Sequence, residues 1–349
     1  MKKHLIAAAV AAAVSAPAMA QNVSVYGIID AGIQSYDNGV NSYQRSTNNV
    51  IATSRIGFRG TEDLGGGLKA NFQLEATLAP NEGQAGTTAT VTNSVSAAST
   101  LFNREAWVGL SGGFGEIRFG RQDVTYAQDI DSGVSKAGNL IFSNMGSGVL
   151  NGELGADQNG VIKYISPKVA GFNVELGYTA GNATGATADG DVPQYGAFAQ
   201  YNQGPLRVML GYHKTDGLTS VAEQDMVRLG AAYDFGVASV GYVYTKADVS
   251  TTADTKLKFH TATATMPLSN GLAVHVVYGK GEDEGTANAK GDGYTLALTK
   301  ALSKRTTLYG AYTQVDNEAQ GKFALTGVTS MATAGADTSA VTVGVVHSF

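Results

Sequence analysis

The sequence predicts an all-β fold, a 16-stranded antiparallel transmembrane β-barrel, and three observations predict it. Apolar and polar residues alternate over stretches of about ten residues, the length of a tilted strand crossing a bilayer and longer than the usual five or six. Several apolar faces finish in an aromatic ring, as suits a lipid–water interface. The connections between stretches are by turns very short and long.

The alternation is explicit along the chain. Leu68, Ala70, Phe72, Leu74 and Ala76 share one face, with Lys69, Asn71, Gln73 and Glu75 on the other. Phe172, Val174, Leu176 and Tyr178 oppose Asn173, Glu175 and Gly177. Leu206, Val208, Leu210 and Tyr212 oppose Arg207 and His213, and Val227, Leu229, Ala231, Tyr233 and Phe235 oppose Arg228 and Asp234. Leu272, Val274, Val276 and Tyr278 oppose Ala273, His275 and Gly279. Successive strand side chains point to opposite faces, so each stretch has an apolar and a wet side. Seven short turns fall at 65–67, 112–115, 166–171, 202–205, near 236, 267–271 and 302–304. Eight longer connections run at about 39–53, 79–102, 123–158, 182–192, 216–223, 250–254, 284–290 and 317–338. Fifteen connections divided in this way join 16 strands with both termini on the short-turn side. Inside hydrocarbon no water can satisfy an open sheet edge, so the sheet must close. A ring of that size is too wide for side chains to fill, which implies an aqueous lumen.

Composition agrees. The 349 residues include 45 Gly, 16 Tyr and 12 Phe but 6 Pro, a mixture suited to many strands and tight turns. The charged fraction of 15% is below the roughly 25% of soluble domains. Residues 1–20 read as a secretory signal: Lys2, Lys3 and His4, an apolar run from Leu5 to Val14, then Ala18-Met19-Ala20 before cleavage. That run is half of the ~20 residues a spanning helix needs, and the barrel domain is expected to occupy 21–349. Without Lys2 and Lys3, the 24 basic residues become 22 against 29 acidic ones, which argues against a nucleic-acid partner. With no cysteine there is no disulfide framework and no thiolate metal site.

Gln21-Asn22-Val23-Ser24-Val25-Tyr26-Gly27, Ser54-Arg55-Ile56-Gly57-Phe58-Arg59-Gly60 and Glu62-Asp63-Leu64-Gly65 resemble the general diffusion porins of Gram-negative bacteria. So do Asn103-Arg104-Glu105-Ala106-Trp107-Val108-Gly109-Leu110, Phe119-Gly120-Arg121-Gln122, Tyr164-Ile165-Ser166-Pro167 and the closing His347-Ser348-Phe349. The resemblance is closest to the beta-proteobacterial and neisserial outer-membrane group and covers the whole chain after the signal. It implies a water-filled channel for small hydrophilic solutes and ions in the cell outer membrane, with lipid and lipopolysaccharide as surroundings. It also implies a homotrimer, a long third loop folded inward, and a C-terminal aromatic residue, here Phe349, that addresses the barrel assembly machinery.

The third long connection, about 123–158, carries Asp123, Asp129, Asp131, Glu153 and Asp157 against Lys136. Ordinary loops rarely exceed about 12–15 residues, and longer ones are usually functional or disordered. A solvated acidic surface loop is the plainer reading; the resemblance favours constriction of the pore, opposite a basic wall. Parity supplies that wall. Ile56 and Phe58 should face outward, so Arg55 and Arg59 face the lumen; Ile162 and Tyr164 do the same for Lys163, and Ile117 and Phe119 for Arg118. Lys69 is inward by its neighbours. A lipid-facing Arg or Lys at the midplane costs about 2–4 kcal/mol. Arg104 shares the parity of apolar Ala106, Val108 and Leu110, and is retained because the family has a pore arginine on this strand; Arg121, at a strand end, is read as an anchor for the loop. The expected selectivity is weak and leans to anions.

An enzyme is not expected. His213, His260, His275 and His347 fall on different strands, and the sequence has no HExxH, no phosphate-cradling glycine loop and no GxSxG. No cofactor is implied, and Glu282-Asp283-Glu284 reads as a solvated loop tip rather than a calcium site. The alternative is a substrate-specific channel or adhesin on the same barrel. Specific sugar channels usually have about 18 strands and an aromatic ladder, neither of which is evident here. The outer loops at 79–100 and 317–339 are rich in Ala, Thr and Gly and are expected to be mobile.

Overall fold

The computed structural model describes residues 23–86, 101–126, 130–136, 157–180, 192–217, 223–250, 255–323 and 333–349. Sixteen staves close into one antiparallel barrel. They are β1 (Ser24–Asp37), β2 in two pieces (Ser42–Asn48 and Arg55–Gly65), β3 (Leu68–Ala79), β4 (Glu105–Gly112), β5 (Gly115–Gln122), β6 (Gln158–Ile165) and β7 (Phe172–Thr179). They continue with β8 (Gln194–Gln203), β9 (Leu206–Thr215), β10 (Glu223–Asp234), β11 (Ser239–Ser250), β12 (Thr255–Pro267), β13 (Leu272–Asp283), β14 (Lys290–Ala301), β15 (Thr306–Asn317) and β16 (Thr338–Ser348). Each pairs with the next, and β1 pairs with β16 from Ile28↔Ser348 to Asp37↔Ser339, which removes both edges. The seam is completed at its tip by Gly27 and Phe349, which exchange backbone N–H···O bonds of 3.1 and 3.0 Å.

The outer surface is the apolar one: Val174, Leu176, Leu210, Leu229, Val276 and Leu296 lie exposed, with Tyr178, Tyr212, Tyr278 and Tyr294 toward the long-loop end. The inward positions are polar, with Thr245, Thr261, Thr263 and Thr265 forming a hydroxyl strip on β11 and β12. All seven short turns join the staves on one side, and the eight other connections lie on the opposite side.

Two of the expected long connections behave differently. The connection expected at 39–53 is a tight turn at 38–41, in which Asp37 Oδ1 accepts from Gly39 N at 2.7 Å and Asn38 Oδ1 from Asn41 N at 2.8 Å. The strand Ser42–Asn48 follows at once, and its nearly all-polar sequence hides it from an apolar-periodicity reading. Residues 49–54 then interrupt β2 and fold over the inner wall. Asp30, fully buried, holds them: its Oδ2 accepts from Ile51 N (2.6 Å) and Ala52 N (2.9 Å), and its Oδ1 from the Tyr309 hydroxyl (2.7 Å). The last long connection is expected at the outer face. Instead Phe323 turns inward and is 2% exposed among Tyr36, Met226, Leu257, Phe259, Val277 and Val315. Gly281 and Gly291 leave the notch it fills.

The Asp30 contact yields a stability test. Asp30→Ala leaves the Tyr309 hydroxyl and two amides without their acceptor, at a cost of about 3 kcal/mol. The denaturant midpoint of the detergent-folded barrel is expected to fall accordingly, while Ser35→Ala, at an exposed position of the same strand, leaves it unchanged.

Candidate functional site

The site lies on the inner wall of β1–β6, and register decides which side chains meet. Tyr26, Gly57, Glu75 and Glu105 stand side by side on neighbouring staves. Gly57 has no Cβ, so the Tyr26 ring lies across it and its hydroxyl donates to Glu75 Oε2 at 2.8 Å. Glu75 is buried. Its Oε1 accepts from Arg104 Nε at 2.6 Å and lies 3.8 Å from Arg55 Nη1, so one carboxylate serves two guanidiniums. Arg104 escapes the outward parity of Ala106, Val108 and Leu110 because it sits in the bend before β4, where pleat alternation has not begun.

Nearer the short turns, Arg59 lies over the Tyr26 ring (4.9 Å) and Arg118 over the Trp107 ring (4.1 Å). Arg118 also binds Glu116 at 2.8 Å and pairs in register with the buried Lys163. Lys69 shares the inward parity but stands six residues from Glu75, about 20 Å along the strand. It belongs to the short-turn mouth rather than to the cluster. Arg121 donates to the Asn103 carbonyl (2.6 Å) and to Asn159 Oδ1 (2.7 Å), tying the bend before β4 to the start of β6.

At the root of the third loop, carboxylate oxygens of Glu105, Asp123 and Asp157 lie within 4.8 Å of one another. Burial pushes the Asp157 carboxyl up to about 6, against the opposing pull of Arg104 and Arg121. Asp129 and Glu153 fall outside the described residues. From Asp123 the loop turns inward and packs on β7–β11. Val124 sits on Gly177, and the short helix α1 (Ile130–Val134) lays Ile130 and Val134 against Gly230, Gly241, Phe198, Met209 and Val243. Asp131 is ion-paired with Arg228, Arg207 donates to the Gly133 carbonyl, Tyr126 N donates to Glu175 Oε2 at 3.0 Å, and Lys136 reaches Asp234 at 2.8 Å.

Asp131 is therefore neutralised on its own wall instead of facing the basic one, while Asp123 and Asp157 stand beside the basic residues. Sequence reasoning placed Arg207, Arg228 and Gly177 on wet faces without assigning them a task. An arginine on a lumen face near a glycine at the same parity of the next stave was the available signal. The remaining histidines contribute no shared centre: His213 contacts Thr215, His275 sits between Thr265 and Thr299, His260 meets Tyr242, and His347 meets Thr306.

A closed, polar-lined barrel narrowed by a stapled inner loop defines a transmembrane diffusion channel. The chain belongs to the Gram-negative porin family, whose description matches residues 7–320. It is 34% identical over the full length of both chains to outer membrane porin protein 32 of Delftia acidovorans. It is 30% identical, over 67% of each chain, to the major outer membrane protein P.IB of Neisseria meningitidis. Among solved structures, the anion-selective porin from Comamonas acidovorans superposes with a TM-score of 0.81 at 30% identity, covering 94% of this chain and all of that one. The trimer form of OmpT from Vibrio cholerae shares the fold, with a TM-score of 0.68 at 14% identity, 95% of this chain and all of that one being covered. The protein is an outer-membrane porin, and its family is one of channels.

Two outcomes follow from this geometry. Gly177→Val drives a side chain into the Val124 carbonyl and is expected to lift the loop from its wall. Single-channel conductance should rise, and loop proteolysis should accelerate several-fold. As pH falls through about 6, Asp157 takes up a proton and the wall beside Arg104 gains one positive charge. Reversal potentials in a salt gradient should therefore move toward greater anion preference between pH 7.5 and pH 5, and Asp157→Asn should reduce that movement, leaving what Glu105 and Asp123 of the same cluster contribute.

Proposed function

We propose that this porin passes small hydrophilic solutes and ions with a weak preference for anions, and that the wall of β2–β6 sets the preference. The observation that carries the reading is an inequality of exposure. The Arg55, Arg104 and Arg118 side chains are 28%, 26% and 25% exposed, whereas the Glu75 carboxylate between the first two is 6% exposed. A passing solute meets guanidinium, with the compensating carboxylate behind it. The channel is wet, so screening holds the effect to a modest size. The Comamonas relative, described as anion-selective, accords with this.

The same reading includes a homotrimer exported by cleavage of residues 1–20. Staves β4–β7 have 8 residues each, against 10 to 13 in β8–β16. Eight residues tilted at about 45° span roughly 19 Å, less than the apolar band of about 25 Å. A partner subunit over that sector would relieve the mismatch. On the remaining circumference, above the tyrosines, outward Lys214, Lys246, Lys258, Lys280 and Lys290 alternate with carboxylates, each in an ion pair. Such a row suits the phosphates of lipopolysaccharide in the outer leaflet. Phe349, at the seam, is the candidate assembly signal.

A unit charge at contact in water is worth about 1 kcal/mol, roughly fivefold in local ion concentration. Replacing Arg55 and Arg104 with Gln should lower the anion-to-cation permeability ratio by up to about that factor per charge, as read from reversal potentials in planar bilayers. A wild-type pore that strongly prefers cations would overturn the assignment.

A further inference from the structure

The break in β2 is larger than a break needs to be. Against β1 the ladder runs from Asp37↔Ser42 to Ala31↔Asn48 and resumes at Ile28↔Arg55, so Ile29 and Asp30 face the whole of Asn49 to Ser54. An ordinary bulge carries one surplus residue; this one carries four. Their backbone groups find no partner in lipid, and the segment folds inward, where it is fastened at both ends and in the middle. Asn49 enters it in the left-handed conformation (φ 61°), and its Oδ1 accepts from Ser54 N at 2.7 Å, tying the first residue to the last. The Ser54 hydroxyl accepts from Asp30 N at 2.9 Å, and the Ser54 carbonyl accepts from Leu78 N of β3 at 2.8 Å. Between them, the Asp30 carboxylate takes the Ile51 and Ala52 amides together with the Tyr309 hydroxyl of β15, across the seam. Staves β15, β1, β2 and β3 thus hold one strap, of which Val50, Ile51, Ala52 and Thr53 remain partly exposed.

We propose that residues 49–54 form a second constriction, built from β2 and separate from the third loop, which sets the largest solute the pore admits. The proposal rests on the channel reading and assigns its size limit. Position carries the argument. The third loop packs on β7–β11, centred on β9, and in a ring of sixteen staves β1 stands eight from β9, on the opposite wall. The lumen is therefore narrowed from both sides. A bare layer of chain is about 5 Å thick, and bore is one of the quantities that decide what a pore passes. Val50 and Ile51 are β-branched and stiff, and the fastenings make the strap a fixed lip rather than a moving gate.

The test uses the intact porin in planar bilayers and in liposomes. Deleting residues 50–53 removes the surplus, so β2 can run unbroken from Ser42 to Gly65 against β1. The single-channel step in potassium chloride should rise. Liposome swelling in arabinose and in raffinose, neutral sugars of increasing size, separates bore from charge. The raffinose-to-arabinose rate ratio should rise about twofold or more as the bore widens. Ala52→Trp keeps every backbone bond of the strap and adds bulk to it; it should lower both the step and the ratio. That variant decides the matter alone should the deletion fail to fold. A folded deletion variant, or Ala52→Trp, with the step and ratio of wild type refutes the second constriction and leaves the channel; a wild-type protein with no step at all removes both.

Discussion

The structure depends on one requirement: every backbone N–H and C=O at membrane depth must find a partner within the protein. The β1–β16 pairing meets it, finished by the reciprocal bonds of Gly27 and Phe349. Once the sheet closes, each stave must present alternate residues to lipid and to the interior, and the interior of a 16-stave ring is too wide to pack solid. Apolar outside, polar inside and a water path between follow from that single requirement. The break in β2 is tolerated because residues 49–54 do not go unpaired; the Asp30 carboxylate substitutes for two ladder acceptors there.

Narrowing such a lumen poses a second problem, since a polar wall offers no grip to a loop. The grip here is made of absences and one dry spot. Gly177, Gly196, Gly230 and Gly241 remove side chains where the third loop approaches, and Ile130 and Val134 then bury themselves against Phe198, Met209 and Val243. Asp131 and Arg228 are paired in the same buried region, where removing either partner would strand a charge. Phe323 repeats the device at the other side of the lumen, seated between Gly281 and Gly291. The described residues of two loops from the long-loop side thus lie against the inner wall on staves other than β2–β6.

Arginine concentrates on the wall of β2–β5. Its arrangement is layered: guanidiniums toward the lumen, carboxylates and aromatic rings behind them. Tyr26 and Trp107 orient Arg59 and Arg118, while Glu75 gathers Arg55 and Arg104. Pairing with Glu75 holds Arg55 and Arg104 in place while leaving both more exposed than the carboxylate they share.

Local pattern accounts for a great deal of this. Alternation of apolar and polar residues, such as Phe172 to Tyr178 against Asn173 to Gly177, follows directly from the strand pleat and so determines the staves, their faces and their closure. It fails where the pleat does not apply. Arg104 precedes its strand and turns inward against its apparent parity, and Ser42–Asn48 has too few apolar residues to register as a strand. What the tertiary structure alone decided is which inward residues meet. Glu75 with Arg104, Asp131 with Arg228, and Phe323 with Gly281 lie 29, 97 and 42 residues apart in the chain. They are brought together by the register of the staves and by where a glycine leaves room, and neither is a property of any local stretch of sequence.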